Sequence, residues 1–410
     1  MQDTYNFYVD QIQDNFYPYW RRFFDNEKGG ILNCINNYGD QKLSDNKFTW
    51  SQGRWLWILG RLHALCKKGV FPKIDIQELE QQMAGTYRFI TEKSIYDNSI
   101  CCYLLDREGN KLRDERTGRY DASIFADCFA LIGLAQYTKT MLLAENVPAV
   151  TALYNSILER INSGSFLTEP YPIPAGYKVH SIPMILVNTI YETIAMRRAL
   201  HLPCEKEIAE GLQFATDILD NFANNGYIRE HISTAENYEE LLLDRHVNSG
   251  HTLEDMWFLG EFLQEYGDAA KYMDKIKTIA VNAFNIGWDE QYGGLLRFVD
   301  RDGGQPHGKY GDSAFELLIR DTWDMKLWWP HSEVLYVFQY LYKATGDEAM
   351  LQYYEKAADY VFKIFPNKEL GEWIQIRKRD GSAQDKLVAL PVKDPFHIMR
   401  NFIKIIELYS

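Results

Sequence analysis

A chain of 410 residues with a formal net charge of −13 has material for one large core or two smaller ones, and its negative balance argues against nucleic acid and anionic membrane surfaces as partners. No apolar run reaches the roughly 20 residues of a membrane span, and Met1 to Trp20 lacks a basic stretch followed by an apolar one, so no secretory signal is expected. The six cysteines, Cys34, Cys66, Cys101, Cys102, Cys128 and Cys204, have no zinc-type spacing and read as reduced thiols of a cytoplasmic protein.

Helical periodicity dominates the chain. In order, it predicts helices over about 3–25, 48–68, 74–94, 121–140, 143–163, 179–200, 204–222, 249–266, 268–286, 331–345, 347–365 and 395–409. Connections from an even helix to the next odd one are short, as at Lys68 to Lys73 and Ala344 to Glu348, whereas several odd-to-even connections are long. Alternating short and long links imply six helical hairpins laid side by side, hence an all-α (α/α)6 barrel with even helices inside. The parallel inner helices would open their N-termini on one rim. Two long loops carry alternation ending in Asp-Gly, Gly293–Asp300 before Asp302-Gly303 and Gly371–Arg377 before Asp380-Gly381, which predicts small β-hairpins at that rim. No linker or shift in composition divides the chain, so residues 1–410 read as one domain.

Three of the even helices begin with a histidine. Asn248-Ser249-Gly250-His251-Thr252-Leu253-Glu254 opens one, Lys326-Leu327-Trp328-Trp329-Pro330-His331-Ser332-Glu333 another, and Asp394-Pro395-Phe396-His397-Ile398-Met399-Arg400 the last. Pro330 reads as the first residue of its helix. Free N–H groups and the positive dipole end gather in such first turns. His251 and Glu254, three residues apart, share a helix face, where a carboxylate tunes an imidazole for acid–base work. The same pair also fits a solvated ion pair, or a metal site completed by His331 and Glu333. His331 and Glu333, two residues apart, point to different sides. A helix N-terminus and Arg400 both disfavour a charged His397, making it a neutral base, although a satisfied buried histidine is the plainer reading. Arg54 lies on an otherwise apolar helix and needs a carboxylate or ligand oxygen. His180 reads as structural, and His63, His201, His231, His246 and His307 carry no pattern. No phosphate loop, dinucleotide fingerprint or Gly-x-Ser-x-Gly elbow appears.

Gln52-Gly53-Arg54 through Trp57, Pro183-Met184, Gly250-His251 through Glu254, Lys326 through Glu333, and Phe396-His397 through Arg400 together resemble the N-acylglucosamine 2-epimerase family, in the family's order over nearly the whole chain. The resemblance implies an (α/α)6 barrel and reversible epimerisation of an N-acyl-hexosamine at C2, with no metal and no cofactor. It gives His251 and His397 the acid–base roles, with Glu333 and Glu254 as supporting carboxylates. Arg54, His331, Arg400, Trp328 and Met184 become the sugar contacts. The chain departs from the family at Met399 and Ser249, where proline is usual, and in a longer stretch from Asp302 to Glu316. The expected partner is a small sugar, and a homodimer is one assembly the sequence allows. Alternatives on the same barrel are a mannose-type aldose–ketose isomerase, a cellobiose 2-epimerase, a glycoside hydrolase using two carboxylates, and a non-catalytic binding protein.

Overall fold

The computed structural model describes residues 2–97, 99–233 and 240–410. Helices Thr49–Lys67, Ile76–Phe89, Ile124–Met141, Val147–Ser163, Ser181–Ala199, Glu205–Asp217, Ser249–Tyr266, Ala269–Gly287, Trp328–Thr345, Ala349–Ile364 and Phe396–Leu408 follow an N-terminal helical stretch that begins at Gln2. Three predicted helices include π-helical turns, at Gln11–Phe16, Ile90–Ser94 and Ile218–Phe222. Short polar side chains start several of them: Asp75 accepts from the Gln77 N–H, Asn248 from His251 and Asp268 from Lys271. Gly164 and Gly346 end two others in the left-handed conformation that glycine adopts without strain. No helix among the described residues is long and apolar enough to cross a membrane.

The chain packs as two compact units, Met1–Pro170 with Thr189–Glu207 and Leu390–Ile403, and Tyr171–Asn188 with Ile208–Ala389 and Lys404–Ser410. In the first, Thr49–Lys67 buries nearly its whole circumference and meets Ile124–Met141 at very close range. A Cβ on Gly53 would stand 2.0 Å from the Phe129 carbonyl oxygen, and one on Gly133 2.4 Å from that of Gly53. Gly53 faces Phe129 and Ala130 while Gly60 faces Gln136 and Thr140, so the two helices run parallel. A small sheet joins Lys47–Phe48, just before the first of them, to Leu104–Leu105 and Lys111–Leu112 in the connection that leads to the second.

In the second unit, Ser249–Tyr266 and Trp328–Thr345 are again parallel, with Gly250 against Trp329 and Gly260 against Tyr340. Each has an antiparallel companion. Gly287 at the end of Ala269–Gly287 lies opposite Ser249, while Phe338 stacks on Tyr353 and His331 on Tyr360 of Ala349–Ile364. These are the hairpins and parallel even helices that the connection lengths predict.

Several expectations need correction. The helix carrying the Trp-Trp-Pro-His motif starts at Trp328, so Pro330 is its third residue rather than its first. Its missing N–H is tolerated there because the first turn has no intrahelical acceptors to bond. Strand Val299–Asp300 does not fold back on its own loop but pairs with His246–Val247. Ile376–Arg377 pairs with Lys326–Leu327, while the Asp380-Gly381 turn does close an antiparallel bridge between Arg377 and Ala383. A helix that periodicity missed, Ala314–Thr322, is fixed by a capping box between Ser313 and Glu316, which the Ser-x-x-Glu spacing signals.

Candidate functional site

In the first unit the apolar helix Thr49–Lys67 delivers one cation, Arg54, to the start of Phe396–Leu408. Its guanidinium lies 3.3 Å from Asp394 Oδ2 and 3.4 Å from His397 Nε2, and its flat face rests 4.0 Å from the centre of the Phe129 ring. Trp50 and Phe396 flank it at 4.9 and 5.1 Å. Asp394 Oδ1 accepts the Phe396 N–H, so this carboxylate both starts the helix and meets the arginine. On the other side of the imidazole, Arg400 Nη2 stands 3.3 Å from His397 Nδ1. All four side chains are buried. A neutral imidazole has one lone pair, so one of the two guanidiniums donates to it while the other can serve a ligand oxygen.

In the second unit Asn248 caps Ser249–Tyr266 and sets His251 in its first turn. The His251 side chain is 30% exposed, in contrast to its surroundings. Its Nδ1 lies 3.1 Å from Glu230 Oε2, Trp329 covers it with ring centroids 5.1 Å apart, and Nε2 has no partner among the described residues. Behind it, Glu230 Oε1 is 3.6 Å from His180 Nδ1, and His180 Nε2 is 2.9 Å from Asp255 Oδ2. Burial opposes a charged ring at His180, but Asp255 and then Glu230 outweigh it and push the group up to about 10. Burial likewise opposes the Glu230 carboxylate, yet His251 and His180 hold it well below the usual carboxylate range.

Glu254 and Glu333 are both buried, and Glu333 accepts a 2.8 Å hydrogen bond from the Trp257 indole. Glu254 is not the carboxylate that holds the Nδ1 of His251, as the shared helix face suggests; Glu230 is. Backbone pairing of Tyr177–Val179 with His231–Ser233 carries Glu230 there, and no local motif marks it. The nitrogens of His331 are both bonded within the fold: Nδ1 to the Leu327 carbonyl at 2.6 Å, and Nε2 accepting the Leu295 N–H at 2.8 Å. Burial lowers it to about 3, leaving a neutral brace between two loops. Trp328 packs with Met325, Leu327, Ile376 and Val388, and its indole N–H has no partner among the described residues. Met184 is buried in the first turn of Ser181–Ala199, its N–H on the His180 carbonyl. Trp329, which covers His251, was not singled out by the sequence.

Residues 29–400 match the family described as N-acylglucosamine 2-epimerase (GlcNAc 2-epimerase). The chain is similar to the N-acylglucosamine 2-epimerase of Mus musculus, with 28% identity over 408 residues covering 96% of this chain and 88% of that one. Among solved structures it is similar to a sugar epimerase from a ruminal bacterium, with a TM-score of 0.78, 18% identity and 98% of both chains covered. It is also similar to cellobiose 2-epimerase from Bacillus thermoamylovorans, with a TM-score of 0.75, 18% identity, and 99% of this chain and 100% of that one covered. These likenesses show the fold, the α/α barrel that the alternating connections predict.

Proposed function

The chain belongs to the N-acylglucosamine 2-epimerase family, and from that premise we propose that it is a sugar 2-epimerase interconverting N-acyl-D-glucosamine and N-acyl-D-mannosamine. The observation that carries this reading is the near-complete match to a relative of that name. In the open-chain sugar the C1 carbonyl acidifies the C2 proton. One imidazole removes it, the electron pair moves onto the carbonyl oxygen to give a planar enolate whose C2 keeps the acylamino group, and a second imidazole returns a proton to the opposite face. His251 and His397 are the two groups proposed, and the half-exposed His251 ring with its open Nε2 supports the first assignment. Arg54 stabilises the developing oxyanion, Arg400 orients His397, and Glu254 and Glu333 supply the supporting carboxylates.

Because the carbonyl itself provides the acidity, the step is proposed to need no metal and no redox cofactor. The same reading takes residues 1–410 as one domain. A family match running unbroken over 29–400 supports it, as does a chain that passes between the two compact units at 170/171, 188/189, 207/208, 389/390 and 403/404. The six free cysteines fit a reducing cytoplasm.

The test is NMR of N-acetylmannosamine and N-acetylglucosamine with the protein in deuterated water, before and after exhaustive chelation. The expected outcome is appearance of the other epimer with deuterium at C2, unchanged by the chelator. Absence of both, or release of a new reducing end from a glycan instead, overturns the reading.

A further inference from the structure

Four side chains of the second unit form a chain from the half-exposed His251 into the interior: His251, Glu230, His180 and Asp255, joined at 3.1, 3.6 and 2.9 Å. Backbone register builds it. Tyr177–Val179 pairs antiparallel with His231–Ser233, and the next bond of that ladder runs from the His180 N–H to the Glu230 carbonyl at 2.9 Å. Glu230 and His180 therefore leave the backbone as cross-strand neighbours, while Asp255, one turn beyond His251 on Ser249–Tyr266, closes the far end. A buried carboxylate fixed between two imidazoles is costly unless both contacts are used.

We propose that Glu230 is the positioning residue of the acid–base step, holding His251 in the Nδ1–H tautomer so that Nε2 presents the lone pair that takes the C2 proton, with His180 and Asp255 fixing Glu230 in place. The inference rests on the reading of His251 as an acid–base group. When the C2–H bond breaks, its proton goes to Nε2 and its electron pair to the carbonyl oxygen. The ring becomes imidazolium, and the Glu230 carboxylate at 3.1 Å balances that charge. Loss of the Nε2 proton restores the neutral ring. The charged and titratable groups around His251 are Glu230, with His180 and Asp255 behind it, the buried His231 and His246, and Glu254 one turn along its own helix. Trp329 covers the ring without charge.

Glu230→Gln keeps the shape and an acceptor oxygen while removing the charge. The expected result is a fall of about 100-fold in kcat with KM nearly unchanged. Were Glu230 merely structural, the folded fraction would fall while kcat per folded molecule stayed unchanged; that result overturns the proposal. A second measurement needs no folded variant at this position: 15N-histidine NMR of the unmodified protein, with the His251 signals assigned by their loss in His251→Asn. A protonated Nδ1 supports the assignment, and a protonated Nε2 with bare Nδ1 overturns it. Should the unmodified protein exchange no deuterium at C2, the epimerase reading fails, and the tautomer measurement still judges Glu230 by itself.

Discussion

The Arg54 guanidinium reaches His397 Nε2 at 3.4 Å across 343 residues of sequence, while also meeting Asp394 at 3.3 Å. One cation thus meets an imidazole and compensates a buried carboxylate. Arg54→Gln removes both contacts, and with them the proposed oxyanion donor. Loss of that donor is expected to lower kcat by about 100- to 1,000-fold. Leaving Asp394 without this cation costs about 3 kcal/mol of stability. Steady-state kinetics and urea denaturation check the two halves separately, and unchanged values in both would rule out the shared role.

Glu333 sits fully buried with the Trp257 indole donating to it at 2.8 Å. Trp257→Phe keeps a flat apolar ring there but takes the donor away. An acceptor deprived of a buried partner costs roughly 1–3 kcal/mol, so the urea midpoint falls by that equivalent. A midpoint within error of the unmodified protein would mean that the indole bond carries no net stability.

The histidines set opposite slopes on stability against pH. Burial, with His246 beside it, lowers His231 to about 3, and burial lowers His331 to about 3. Between pH 3 and 6.5 the unfolded chain binds protons at these two positions that the folded one does not, so their contribution rises with pH. His180, raised to about 10, does the reverse. Its contribution is complete below the ordinary histidine value of 6.5 and is lost as pH climbs to 10. The histidine share of stability therefore peaks near pH 6.5. Unfolding free energies across pH 4–9 check this, and His180→Gln should flatten the alkaline side; a slope that survives that substitution speaks against the assignment.

Close helix approach in the first unit depends on the missing methyl groups of Gly53 and Gly133. In Gly53→Ala the new Cβ would lie 2.0 Å from the Phe129 carbonyl oxygen, and backbone cannot yield as a side-chain tip can. The expected loss is about 3 kcal/mol or more. Gly69→Ala is the comparison: its φ is +78° but no atom lies within 4 Å, so it suffers only the left-handed strain of about 1–2 kcal/mol. Thermal melts of the two variants should rank in that order.

Most of the long helices were readable because a 3.6-residue period, a capping asparagine such as Asn248 and a short link such as Lys68 to Lys73 are all properties of neighbouring residues, whereas the short helix Ala314–Thr322 was missed. The motifs at the starts of the helices carrying His251, His331 and His397 were readable for the same reason, and so was the need of Arg54 for a partner. The identity of that partner, Asp394, was not, and neither was the carboxylate behind His251.

Local sequence determined that this is a chain of helical hairpins with histidines at helix starts. Tertiary structure alone decided that Glu230 rather than Glu254 holds His251, that His331 spends both nitrogens on backbone, and that Val299 pairs with Val247. Hydrogen bonds and ion pairs depend on which segments the core brings within about 3 Å, and that adjacency is settled by long-range packing, not by any window of consecutive residues.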